Sequence, residues 1–136
     1  MKIVLDANIV ISSFFWGGNP RLVVERVIAG LDELFITKEI LDEIENVISR
    51  PKFHAENDKI HYYISSLEEI GNIISPKKRI KNGSRDKNDN KYIECGITAD
   101  ADYIISGDIH LLELKEYDTI KIVTAKDYMT IFQKPL

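Results

Sequence analysis

The stretch that most constrains this chain is its opening, Lys2-Ile3-Val4-Leu5-Asp6-Ala7-Asn8. An apolar run ended at once by an acid and turn chemistry reads as a short strand buried on both faces of a parallel sheet. Asp6 then stands at the strand's carboxyl end, where open α/β sheets form their ligand crevices. A carboxylate there has lost much of its water. It either pairs with a cation, often a metal ion, or opens a turn and caps the next segment. The stretch alone leaves both roles open.

At 136 residues the chain is long enough for one core and too short for two, so one domain is expected over 1–136. No window has the long apolar run that a membrane span needs, and Asp6 interrupts any signal-peptide pattern. The single cysteine, Cys95, forms no internal disulfide and fits a reducing interior, as a buried apolar residue rather than a nucleophile. The expectation is a soluble, cytoplasmic protein with no membrane association. A net charge of −4 argues against a whole-surface grip on nucleic acid, but leaves room for a local basic patch or for binding through metal ions.

Along the chain, Ile9 to Phe15 stays apolar until Trp16-Gly17-Gly18-Asn19-Pro20 breaks the run. Phe14, Phe15 and Trp16 read as core rather than as a shelf for stacking bases. Pro20 suits a first helical turn, Leu22, Val23, Val27 and Ile28 repeat at helical spacing, and Gly30 is a stop. Leu34-Phe35-Ile36 is a second strand. Thr37 then caps a helix whose stripe is Ile40, Leu41, Ile44, Val47 and Ile48, and which ends before Arg50-Pro51. On that helix Glu39 and Asp42 point away from the stripe, while Glu43 and Glu45 flank it on opposite sides. Helical geometry keeps those two as candidates for a cleft and does not choose between them.

A further helix is expected from about Asp58 to Gly71, and a brief strand at Ile73-Ile74. The basic, turn-rich run from Pro76 to Arg85 is either a solvated segment or a local phosphate-contacting surface. Asp89, Ile93 and Ile97 then fall on one helical line, which puts Asp89 at the amino-terminal end of an inward face, with Asp86 as a cap or turn residue. Tyr103-Ile104-Ile105 followed by Ser106-Gly107-Asp108 repeats the opening pattern of apolar run and aspartate. His110 is a surface residue and Leu111, Leu112 and Leu114 form a short helical turn. Ile120 to Val123 is a last strand, and Thr124 caps a short helix.

Alternating strands and helices favour a three-layer α/β/α domain with a mainly parallel central sheet. Right-handed crossovers bring the strands' carboxyl ends to one edge, with Asp6, Asp108, Asp89 and one flanking glutamate beside one another. Crowded carboxylates repel unless a cation sits among them, and hard oxygen ligands select Mg²⁺ or Mn²⁺. Such ions orient and help deprotonate a water and stabilise charge on a phosphodiester. A metal-dependent nuclease is the chemistry these residues suit.

The sequence also resembles PIN-domain proteins, of the kind found as the ribonuclease toxin (VapC-like) of prokaryotic toxin–antitoxin pairs. The resemblance lies in Val4-Leu5-Asp6-Ala7-Asn8, the helix with Glu43, Arg50-Pro51-Lys52-Phe53, Asp86-Lys87-Asn88-Asp89-Asn90-Lys91 and Ala101-Asp102-Tyr103-Ile104-Ile105-Ser106-Gly107-Asp108. It implies Asp6, Glu43, Asp89 and Asp108 as the metal-binding quartet, selecting Glu43 over Glu45, with Asn8 and Ser106 as polar supports. It further implies a Mg²⁺- or Mn²⁺-dependent endoribonuclease acting on RNA, a homodimer, and inhibition by a small antitoxin whose tail covers the cleft. Serine and glycine at 106 and 107 depart from the threonine and variable residue that many members carry. Two other readings compete. One is a phosphoryl-transfer domain of the receiver or haloacid-dehalogenase type. The latter needs a second aspartate two residues after the first, where Asn8 stands. A receiver needs acids just before its aspartate and a lysine after a late strand, for which Lys126 is the only rough candidate. A PIN-like module that binds RNA or protein without cutting is the second.

Overall fold

The opening run forms an inner strand. In the computed structural model, which describes residues 1–133, β1 (Lys2–Leu5) has a parallel neighbour on each side, β2 (Glu33–Ile36) and β4 (Tyr103–Ile105). Ile3, Val4 and Leu5 expose no more than 2 % of their surface. Successive strand residues point to opposite faces, so three buried in a row mean that both faces are covered. Each such side chain contributes about 1.5–3 kcal/mol by leaving water.

Beyond β2 lies β3 (Gly71–Ile73), and beyond β4 lies β6 (Ile120–Val123), both parallel; β5 (Glu116–Tyr117) closes that side as an antiparallel edge. The strand order is β3-β2-β1-β4-β6-β5. The expected mainly parallel sheet is present. The two residues of β5 are too few to carry an alternation and were not foreseen.

The helices are α1 (Ala7–Phe15), α2 (Gly18–Ile28), α3 (Lys38–Ile48), α4 (Asn57–Ile70), α5 (Asn90–Ala99), α6 (Ile109–Leu112) and α7 (Ala125–Ile131). Helix α5 lies across β1, β2 and β4, while α2 packs against both α1 and α7. Together they complete the expected three-layer α/β/α arrangement. No helix among the described residues is long and apolar enough to cross a membrane.

Most boundaries follow local chemistry. Thr37 Oγ1 accepts from Ile40 N at 3.2 Å to start α3, and that helix stops ahead of Pro51. The apolar run after Asn8, which periodicity left without an element, is α1; its branched residues suit a strand as well, and the Asp6 cap decides for helix. Phe14 and Phe15 are partly buried in an aromatic cluster, with Phe14 stacked on Tyr63 at 4.2 Å and Phe15 on Phe53 at 5.2 Å. Trp16 departs from the core reading: α1 ends at Phe15, and Trp16 turns outward with 69 % of its surface exposed.

The sequence placed the third strand at Ile73-Ile74, two residues late. The reason is Gly71, where α4 passes into β3 without a linker. A Cβ at this position would lie 2.9 Å from the Leu67 carbonyl oxygen and 3.3 Å from Ile36 Cγ2. Gly71→Ala is therefore expected to destabilise the fold by about 1–3 kcal/mol, the usual cost of overpacking. A lowered urea midpoint at unchanged slope would bear this out, and an unchanged midpoint would show that the corner opens freely.

Candidate metal centre

From β1 the chain moves outward to β2 and β3, then returns to place β4 on the other side of β1. The strand order thus reverses between β1 and β4, which is where such sheets open a crevice at their carboxyl ends. Asp6 follows β1 there, and Ser106 to Asp108 follow β4.

Asp6 is observed in one of the two roles that the sequence left open, the capping role. Its Oδ1 accepts from Ile9 N at 2.9 Å and caps α1, and its Oδ2 accepts from the Ser106 hydroxyl and from Gly107 N at 3.2 Å. The residue is only 3 % exposed. Burial raises its pKa above the ordinary carboxylate value, the three hydrogen bonds pull it back, and the Asp108 charge raises it again. Ser106 Oγ also accepts from Asp108 N at 2.9 Å, so one hydroxyl sets Asp6 and the start of the Asp108 turn together.

Asp89 ends a 3-10 turn (Lys87–Asp89) that leads into α5 and is 9 % exposed. Burial, and then the charges of Asp108 and Asp86, push its pKa up from 3.8 to about 7; a side-chain contact with Asp108 and the charge of Asp6 add to this. Three acids from three segments are therefore electrostatically joined. Asp86 accepts from Asn88 N at 3.0 Å, the expected capping role.

Glu43, on α3, is the flanking acid linked through Tyr92 to the residue after Asp6. The Tyr92 hydroxyl donates to Glu43 Oε2 at 2.8 Å, and Lys91 Nζ lies 2.7 Å from the same oxygen. The Tyr92 oxygen in turn accepts from Ala7 N at 3.1 Å, so one phenol joins Glu43 to the residue after Asp6. Glu45 is exposed and faces a different groove, beside His61 and Glu68. Asn8 is exposed in the first turn of α1, and among the described residues no side-chain hydrogen bond ties it to the acids. His110 is partly exposed, and Cys95 is fully buried, with burial pushing its thiol up to about 12.

Reading the sequence missed Tyr92, Lys91 and Ser84. Tyr92 lies three residues after Asp89, on the same helical face, so spacing alone had the signal. Ser84 Oγ stands 3.5 Å from Asp89 Oδ2, a contact across a loop that no periodicity reports.

The donor chemistry fits a hard divalent cation. It is all carboxylate oxygen, and Glu43 Oε1, Asp89 Oδ1 and Asp108 Oδ2 are claimed by no hydrogen bond among the described residues. No three acids, imidazoles or thiols among the described residues converge as a ready cage.

Comparison with known proteins follows the same lines. Residues 2–110 match the sequence profile of the PIN domain. Among solved structures the chain is similar to VapBC2 from Rickettsia felis, bound to a DNA fragment from their promoter, with a TM-score of 0.61 and 12 % identity over 90 % of this chain and 97 % of that one. It is similar also to VapBC-1 from nontypeable Haemophilus influenzae, with a TM-score of 0.59 and 17 % identity over 93 % of this chain and 99 % of that one. At these identities the likeness bears on the fold. No curated protein matches the chain by sequence.

The Asp89 shift has a measurable consequence for the metal-free protein. Below about pH 4 both folded and unfolded chains hold the proton, and the group contributes nothing. As pH rises, the unfolded carboxyl ionises near 3.8 while the folded one waits until about 7, so stability is lost across that window. In EDTA, Asp89→Asn should gain stability relative to the parent protein as pH rises from 5 to 8. Parallel thermal midpoints for the two proteins over that range would contradict the assignment.

Proposed function

Because this chain belongs to the PIN domain family, we propose that it is a Mg²⁺- or Mn²⁺-dependent endoribonuclease and the toxin of a toxin–antitoxin pair. The observation that carries this reading is the crowding of Asp6, Asp89 and Asp108 at the strand switch with no lysine or arginine paired to any of them among the described residues. Asp6, Glu43, Asp89 and Asp108 would hold the ion, which when bound supplies positive charge to a phosphodiester and an activated water. The chain's own groups set the acids in place. Ser106 Oγ and Gly107 N orient Asp6, Ser84 Oγ supports Asp89, and Tyr92 with Lys91 holds Glu43 by Oε2 so that Oε1 stays available. Lys91, with only 12 % of its side chain exposed, also brings a positive charge to the rim of an acidic crevice. Asn8, at the mouth of the site, is assigned a supporting polar contact to substrate or water.

RNA is the substrate in this reading, and the protein acts in the cytoplasm as a homodimer restrained by a small antitoxin. An apolar groove of about 490 Å³ between α1, α2 and α4, lined by Phe14, Val24, Ile28, Tyr62 and Tyr63, supports a protein partner, since water-exposed apolar surface of this kind favours being covered. The two similar structures are of VapBC assemblies.

Asp6→Asn is the informative variant, because asparagine keeps the helix cap. Its amide nitrogen cannot accept from Gly107 N as Oδ2 does, so the thermal midpoint is measured beside the rate. Purified, antitoxin-free protein should cut labelled single-stranded or hairpin RNA only with Mn²⁺ or Mg²⁺, and Asp6→Asn should lower the rate by roughly 100-fold or more. Equal cutting by both proteins would expose a contaminant. A rise in thermal midpoint with Mn²⁺ but no cleavage of any RNA would favour the non-cutting binding module. Light scattering tests the dimer, with twice the 15.6 kDa chain mass expected.

A further inference from the structure

The segment between β3 and α5 concentrates the chain's positive charge. Residues 76–89 carry six lysines and arginines against two aspartates, in a chain whose net charge is −4, so the remaining residues total −8. The sequence left this run as either a solvated segment or a phosphate-contacting surface; the structure ties it down. Lys77 N donates to Thr98 Oγ1 at 3.0 Å, and Ser84 N donates to Asn90 Oδ1 at 2.9 Å. Between them Glu94, 5 % exposed, spends both carboxylate oxygens on the loop: Oε1 accepts from Arg79 at 2.8 Å and Oε2 from Ile80 N at 2.9 Å. Arg79 also reaches Glu39 at 3.0 Å. Gly83 is seated so closely on Asn90 and Ile80 that a Cβ there would lie 2.8 Å from Ile80 Cδ1. A half-buried glutamate pair breaks even only when its other hydrogen bonds are met, and here they are.

This clamped loop follows one rim of the crevice. Arg79 near its start pairs with Glu39, one turn before Glu43 on α3, and Ser84 further along touches Asp89. Its anchoring uses Arg79 and backbone groups, and Arg85 is paired with Glu113 at 3.3 Å. Lys77, Lys78, Lys81 and Lys87 are exposed, and none has an ion-pair partner among the described residues. Fixed cations beside a carboxylate site answer a specific need. An acidic protein repels a polyanion, and only local positive charge brings phosphates within reach.

We propose that residues 77–87 form a rail for the phosphate backbone of single-stranded RNA, with Lys78, Lys81 and Lys87 as its phosphate contacts. The choice of RNA rests on the nuclease reading above; the anion-binding surface does not.

The test is RNA binding by the full chain in EDTA, where no cleavage occurs, so that a failure of the nuclease reading leaves it interpretable. The triple variant Lys78→Gln, Lys81→Gln, Lys87→Gln is compared with a charge-matched control, Lys59→Gln, Lys121→Gln, Lys126→Gln. The rail variant should bind a single-stranded RNA about tenfold or more weakly, and its slope of log K against log salt should flatten by about 2, as expected for three lost contacts to a single strand. The control should stay close to the parent protein, and both variants should keep its thermal midpoint. Equal weakening in both variants, no weakening in either, or no RNA binding by the parent protein would each overturn the proposal. So would a dependence on the three lysines seen only with duplex DNA or with poly-glutamate.

Discussion

The carboxylate of Asp6 closes the junction of β1, α1 and β4. Oδ1 ends the strand by capping the helix, and Oδ2 is held by the turn that leaves β4. A buried carboxylate is tolerated only when its lone pairs are met, and the chain meets them with two backbone N–H groups and one hydroxyl. The other acids take their positions from this junction. Ser106, fixed by Asp6, sets the turn that presents Asp108; Asp108 then faces Asp89; and Tyr92 links Glu43 to the first N–H of α1. Local folding requirements and a candidate site are thus met by the same few atoms.

Electrostatics explains why such a site stays poised. The three aspartates come from different segments, and each is partly satisfied by neutral donors. The unresolved part of the repulsion collects at Asp89, whose pKa is carried to about 7. Glu43 is treated differently, since Lys91 and Tyr92 both hold one of its oxygens and leave the other open. The crevice therefore divides into a repulsive side that favours added positive charge and a side already neutralised by the chain.

Much of this was legible in the sequence because it lies in short, local signals. The strand with its terminal aspartate, the Thr37 cap, the proline after α3 and the line from Asp89 through Ile93 each depend on a few adjacent residues, and each is found as read. What escaped depends on contacts between remote segments. The third strand begins at Gly71 because two side chains and a carbonyl leave no room for a Cβ, and Trp16 turns out because α1 stops one residue before it. Ser84 and Glu94 meet their partners across a loop, where no period exists to be counted. The choice of Glu43 over Glu45 belonged to the family pattern, since one helix offers two flanks and its own geometry favours neither.

The sheet's margins bear on how this molecule can meet another. One edge is the three-residue β3, where the Asn72 amide is turned back onto Leu34 O at 3.1 Å; the other is the two-residue β5. Edges this short offer few free N–H and C=O groups, so an extended segment from a second molecule finds almost no template for strand addition. Among the described residues, this favours association through the helical faces, by side-chain shape and apolar fit rather than by a shared backbone ladder.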